Sequence, residues 1–481
     1  MPRSVPLVPA LTACALALAL TACTGSGAQG TSGAPGASGV GDPYFPNAGN
    51  GGYDVTHYAL TLAYTPDTHR LTGTAEITAR ATHDLSAFDL DLKGMQVKSL
   101  TVAGRKARWT RKGQELTVRP PATLPEGETF RTTVRYSGTP ETITDPDGSE
   151  EGWLRTADGA LALGEPTGSM AWFPSDNHPS DKATYDITIT VPKGLQAVSN
   201  GELRTETTTE TTTGDGSGAT TTYSWRTTHP MATYLATVAI GHYDITRTTT
   251  KNGLPVYTAV DPHEAAASRK VLARLPEIME WEEYNFGSYP FSSTGAIVDR
   301  RGDAGYALET QTRPFFPGAP DTATLVHELA HQWYGDSVTP KTWRDMWLNE
   351  GFATYAEWLW DEDHDGDTAQ ETFDALYKGD YYDNKADSEA IWAFPPAKPT
   401  SAAHISDSPV YERGAMVLHK IRRTVGDARF YDIIQGWAAA HRYGNADTAD
   451  FTAYVEKMAP GKDFGGIWKD WLYGDGKPAR P

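Results

Sequence analysis

From Tyr53 onward apolar and polar residues alternate in short runs, and a period of two marks a strand with one buried face. The runs 57–64 (HYALTLAY), 71–78 (LTGTAEIT), 116–118, 132–136 and 185–191 (YDITITV) each predict such a strand, with Gly, Pro and Asp clusters between them. The segment 231–240 continues the pattern. Residues 44–250 are therefore expected to form one all-β domain, with the Thr-rich stretch 205–222 as an exposed hairpin tip. Beyond about residue 260 the period moves toward 3.6. It predicts helices over 264–286, 322–334, 348–360, 414–425, 428–441 and 448–458, and strands at 295–299 and 307–311. That mixture makes 251–475 an α+β domain.

The first 43 residues follow neither period. Arg3 precedes an apolar run from Leu11 to Leu20, which is too short to span a bilayer as a helix and reads as a targeting segment. It ends in Leu20-Thr21-Ala22-Cys23, resembling a bacterial lipoprotein signal (1–23) whose cysteine becomes the lipidated first residue. The alternative is an ordinary secretory signal with Cys23 incidental. Both place the body outside the cytoplasmic membrane, and the first ties it there through Cys23. Residues 24–43 are rich in Gly, Ser and Ala and predict a flexible tether.

Cys14 and Cys23 are the only cysteines, so the body holds no disulfide and no thiolate-bound metal. Lys and Arg number 42 against 61 Asp and Glu, a net charge of −19. That balance repels phosphate backbones and excludes nucleic acid as a natural partner.

The segment 325–334 (LVHELAHQWY) contains His327-Glu328-x-x-His331. On a helix, residues four apart share a face, so both imidazoles reach one ion while Glu328 stands beside it to take a proton from water. A catalytic zinc needs about three protein ligands and an open position. Glu350, with 18 residues between it and His331, supplies the third from the following helix. His, His and Glu form a set suited to zinc.

At these residues the sequence resembles the gluzincin aminopeptidases of the aminopeptidase N type, which include the bifunctional leukotriene hydrolases. The stretches 327–336 (HELAHQWYGD) and 347–360 (WLNEGFATYAEWLW) match that family's metal block, and the likeness runs from Tyr53 to Trp471. It implies a saddle-like β domain packed on a thermolysin-like catalytic domain, one zinc per chain, and peptide substrates with a free N-terminus. The family's Gly-Ala-Met-Glu-Asn strand motif corresponds to 306–310 (YALET), so Glu309 is implied to bind the substrate α-amine and the strand to pair with its backbone. Glu165, opening 165–174 (EPTGSMAWFP), is implied as the second amine ligand, although 174–179 (PSDNHP) departs from the family's next stretch. Tyr411 in 409–414 (PVYERG) matches the tyrosine that stabilises the oxyanion.

Two other readings of the same residues stay open: an endopeptidase with this metal site, and a surface binding protein with a vestigial one. With 131 residues after Glu350 (481 − 350), the site is expected to be more open than in relatives carrying a helical cap. The acidic stretch 361–372 begins like a calcium loop but has Thr372 where that loop needs Glu, and a solvated acidic loop is expected there.

Overall fold

The computed structural model describes residues 33–210 and 218–479. The signal segment 1–23 with both cysteines, most of the tether, and the centre of the Thr-rich stretch lie outside the described residues. The arms of that stretch do pair, Glu202–Thr209 antiparallel to Thr220–Ala232.

An eight-stranded sheet carries the alternating runs. Its order is Glu202–Thr209, Thr220–Ala232, Lys182–Pro192, Tyr53–Thr65, Arg70–Ala81, Thr129–Gly138, Gln96–Val102 and Arg105–Lys106. Every pairing is antiparallel except Lys182–Pro192 with Tyr53–Thr65. Tyr58, Leu60, Leu62 and Tyr64 line one face of a strand and are all buried, as the period of two requires. A second, five-stranded sheet runs Thr142–Thr144, Glu150–Arg155, Ala160–Leu163, Val238–Gly241 and Gln196–Ser199. Its strand Ala160–Leu163 is buried on both faces.

The segment 231–240, expected as one strand, instead changes sheet. Thr220–Ala232 ends in the first sheet, a 3₁₀ turn covers Thr233–Leu235, and Val238–Gly241 joins the second. Asn200 pins the crossing by donating to Leu235 O and accepting from Thr237 N, replacing ladder bonds. Asp244–Thr249, the last stretch of the expected β domain, pairs with Pro255–Val260 in a sheet completed by Thr294–Val298 and Phe315–Phe316.

Expected helix 264–286 is two helices, α1 (Ala265–Leu272) and α2 (Leu275–Phe286). Pro276 in the first turn of α2 has no N–H to continue α1 and favours a fresh start. Next come α3 (Thr322–Ala330), α4 (Trp347–Asp363), α5 (Ala369–Lys378), α6 (Lys385–Ala390), α7 (Gly414–Val425), α8 (Asp427–Ala440) and α9 (Thr448–Met458). The acidic stretch 361–372 is not one loop: Asp361 and Asp363 close α4, and Glu371 completes the capping box of α5 with Thr368.

The last residues of the expected tether belong to the body. Ala34–Pro35 pairs with Leu85–Ala87, and buried Asp42 accepts hydrogen bonds from Phe45 N and Trp343 N. Further bonds lock the β half onto the helical half. Lys182 donates to the carbonyls of Asp336, Ser337 and Gly444, and buried Arg313 donates to those of Ser199 and Gly201. No described helix is long and apolar enough to cross a membrane.

Candidate metal centre

Helix α3 starts where Asp321 caps it, its carboxylate accepting from Thr324 N, and buries Leu325, Val326, Leu329 and Ala330. It ends sooner than the expected 334. His331 keeps helical angles just past its last residue, and the chain then turns through Gly335 at φ 134. A Cβ at Gly335 would sit 2.0 Å from Asn349 Oδ1, so this turn tolerates only glycine.

Glu350 stands in the first turn of α4, which packs along α3. Its Oε2 lies 3.2 Å from His327 Nε2 and 3.4 Å from His331 Nε2. The three ligand atoms lie within 4.8 Å of one another. Behind them, His327 Nδ1 contacts Glu357 Oε1 at 2.6 Å and His331 Nδ1 contacts Tyr334 O at 3.0 Å. A backbone carbonyl can only accept, so His331 carries its proton on Nδ1 and turns the Nε2 lone pair toward the shared point. The Glu357 carboxylate orients His327 the same way. Sequence reasoning passes over Glu357, although its place seven residues after Glu350 puts it two turns along the same helix face.

This donor set fits zinc: two imidazole nitrogens and one carboxylate, with no thiolate, leave a fourth position open. Buried Glu328 lines the same cavity with Oε2 unpartnered, and it can bring a carboxylate oxygen within 4.8 Å of a His331 ring nitrogen. The two carboxyls diverge in acidity. Burial works against ionisation of Glu350, but His331 and His327 outweigh it and hold the group down at about 2. Burial pushes Glu328 up to about 8, against the pull of the same histidines.

Glu309 is buried, its Oε1 accepting from Asn349 Nδ2 at 3.0 Å and its backbone O from Gln332 Nε2 at 3.1 Å. The expected strand 307–311 is instead a tight turn. Leu308 exchanges both backbone bonds with Phe315, and Thr310 N donates to Leu308 O. The N–H and C=O of Leu308 are therefore taken within the protein.

Glu165 comes from the β half, on the loop after Ala160–Leu163. That loop is fixed by Glu151, which accepts from Thr167 N, Thr167 Oγ1 and Gly168 N at 2.6–2.9 Å. Carboxylate oxygens of Glu165, Glu309 and Glu350 lie within 4.8 Å of one another. Burial, then repulsion from Glu309, pushes the Glu165 carboxyl well above its ordinary range.

Tyr411 rides on a π-helical turn, Pro409–Arg413, at the head of α7. Its ring stacks on His327 with centroids 6.0 Å apart and planes 13° from parallel. Two features hold it there. Arg413 is buried and donates to the carbonyls of Phe394, Asp470, Trp471 and Gly474. Gly351 and Gly414 let α4 and α7 touch, since a Cβ on Gly351 would lie 3.0 Å from Gly414 Cα.

Glu165, Glu309, His327, Glu328, His331, Glu350 and Tyr411 all line one cavity of about 360 Å³. Exposed Asp147 and Ser406 rim it, so it opens to solvent.

The comparisons follow this division of the chain. Residues 54–235 match the Peptidase M1 N-terminal domain and 320–471 match the Peptidase family M1 domain. Glutamyl aminopeptidase of Bos taurus is 27% identical over 329 residues, covering 64% of this chain and 34% of that protein. Human endoplasmic reticulum aminopeptidase 1 is 26% identical over 447 residues, covering 84% of this chain and 45% of that one. The chain thus spans about a third to a half of the length of these curated relatives. Against solved structures it resembles an M1 zinc metallopeptidase from Deinococcus radiodurans, a mutant bound to a Tyr-Ser-Ala substrate, with a TM-score of 0.81 and 30% identity. That match covers 92% of this chain and 99% of the other. Two models of one family, in order along the chain, together with this likeness show that the chain belongs to peptidase family M1.

Proposed function

We propose that this chain is a zinc aminopeptidase removing residues from the free N-terminus of peptides. The observation that carries the proposal is the pair Glu165 and Glu309, with carboxylates within 4.8 Å of each other beside the ligand set. A peptide's terminal ammonium neutralises this pair; an internal segment or a blocked terminus leaves it uncompensated. Relatives named as aminopeptidases, and the peptide named for the Deinococcus structure, support the same substrate class.

His327, His331 and Glu350 would hold the ion, which supplies Lewis acidity and makes water nucleophilic near neutral pH. Glu328 takes the proton from the attacking water and delivers it to the departing amine. Tyr411 donates its hydroxyl to the carbonyl oxygen as charge builds there. Glu309, fixed by Asn349, and Glu165 hold the ammonium so that the first peptide bond alone reaches Glu328. Cleavage of a free-amine peptide and its N-acetylated twin, each with and without a zinc chelator, tests this. A free-amine preference of about 100-fold or more that chelation abolishes is expected; equal cleavage of both peptides would sink the amine-trap reading.

The N-terminal pattern supports an extracytoplasmic enzyme, lipid-anchored at Cys23. Cys23→Ala should abolish labelling by a fatty acid and release the protein from membranes. Unchanged fractionation of that variant would leave an ordinary secretory signal.

A further inference from the structure

Beyond the groups that would hold the ion and the ammonium, the cavity has an acidic end. Asp145, Pro146 and Asp147 form it, between the strands Thr142–Thr144 and Glu150–Arg155, and Tyr306 lines the same cavity. Asp145 is 8% exposed, lines the cavity, and keeps its Oδ2 without a hydrogen-bond partner. Its close neighbour is a second carboxyl, Glu151, which accepts from Thr167 and Gly168 and can bond to Asp145 only when one of the two is protonated. The Tyr306 hydroxyl is also buried and unpartnered. Among the described residues no Lys or Arg lines the cavity, and Lys93 acts on Asp145 from outside it.

A buried carboxylate oxygen and a buried hydroxyl without partners are costly in a native protein unless something else completes them. The position of the amine fixes what can. An ammonium held by Glu165 and Glu309 leaves the side chain of that same residue within the cavity that Pro166, Tyr306 and Asp145 also line. A guanidinium or ε-ammonium is long enough to span such a pocket and brings several donors to it.

We infer that the first-residue pocket selects a basic side chain, arginine above lysine, with Asp145 as the charge partner, Asp147 at the rim and the Tyr306 hydroxyl as acceptor. This inference rests on the aminopeptidase reading and deepens it. Arginine leads because its planar fork can meet Asp145 and Tyr306 together, whereas lysine is a point charge.

The test compares Arg-, citrulline-, Lys-, norleucine- and Ala-aminoacyl fluorophores on the full chain loaded with zinc. Citrulline keeps the shape of arginine and loses its charge. Arg over citrulline should stand at about 10-fold or more in kcat/KM, the size of one charge-assisted hydrogen bond. The ratio should fall toward one in Asp145→Asn and partway in Asp147→Asn. Inhibition of the unmodified enzyme by free L-arginine against free L-citrulline reads the same preference without any variant that could misfold. An Arg-to-citrulline ratio near one in both assays overturns the inference while Ala-fluorophore turnover keeps the aminopeptidase reading alive. A high ratio unmoved by both substitutions removes Asp145 and Asp147 from the role. No hydrolysis of any free-amine substrate would overturn both readings together.

Discussion

The ligand set and the amine-binding pair are neighbours in one cavity but are built in opposite ways. His327, Glu328, His331 and Glu350 sit on or at the end of two packed helices, where a 3.6-residue period fixes which side chains converge. Glu165 and Glu309 sit on irregular backbone from two halves of the chain, each held by side-chain bonds, Glu151 under the Glu165 loop and Asn349 against Glu309. The helical region decides whether a peptide bond is broken. The irregular region decides whose bond it is. Substitutions in the first should reduce turnover of every substrate alike, and substitutions in the second should change the ratio between substrates.

The largest effect is expected from Glu328→Gln. It keeps shape and removes the base, so kcat should fall by about 1,000-fold or more, on free and acetylated peptides equally, with zinc content unchanged by metal analysis. A drop confined to free-amine substrates would erase the division between the regions. Next is Glu309→Gln. Loss of one partner of a desolvated charge pair costs about 3–5 kcal/mol, or roughly 100- to 4,000-fold in kcat/KM for free-amine peptides. Cleavage of acetylated peptides should be far less affected, which steady-state kinetics on matched peptides reads directly. Tyr411→Phe removes one oxyanion donor and should lower kcat by about 100-fold with little change in KM. Because Tyr411 stands on a π-helical turn against His327, it tests whether irregular backbone can also serve the bond-breaking half.

The contrast also explains what was legible in the sequence. The His327-x-x-x-His331 spacing, and Glu350 one helix later, follow from helical geometry, and the structure converges them without resemblance to any family. Alternating runs such as 185–191 likewise give Lys182–Pro192 its buried and exposed faces. Period fails where the backbone stops repeating. The segment 307–311 reads as a strand, yet Leu308 pairs alone with Phe315 and the chain turns directly after it. The run 231–240 looks continuous, yet Asn200 supplies bonds that let it leave one sheet for another. Both features depend on partners far away in sequence, and local pattern contains no trace of such partners. Resemblance alone singled out Glu165, Glu309 and Tyr411 for the same reason. Asp145, silent in both period and resemblance, stands out only once its burial and missing partner are seen.

Glu357 gives the smallest effect and the sharpest test of how far the helical region's order extends. It touches neither substrate nor ion, but its Oε1 lies 2.6 Å from His327 Nδ1 while Nε2 of the same ring faces Glu350. The carboxylate fixes the ring's tautomer and raises the basicity of Nε2. Glu357→Gln keeps an acceptor and loses the charge, so zinc affinity, read by competition with a chelating dye, should weaken by about 10-fold; Glu357→Leu loses both, for about 100-fold. Turnover per bound zinc should stay within a few-fold of the unmodified enzyme in each. The graded series matters because mere packing would make Leu and Gln equivalent, whereas a hydrogen-bonded carboxylate separates them. Equal affinities for all three proteins would mean that α3 and α4 alone aim His327, and that the order of the helical region ends at the ligands themselves.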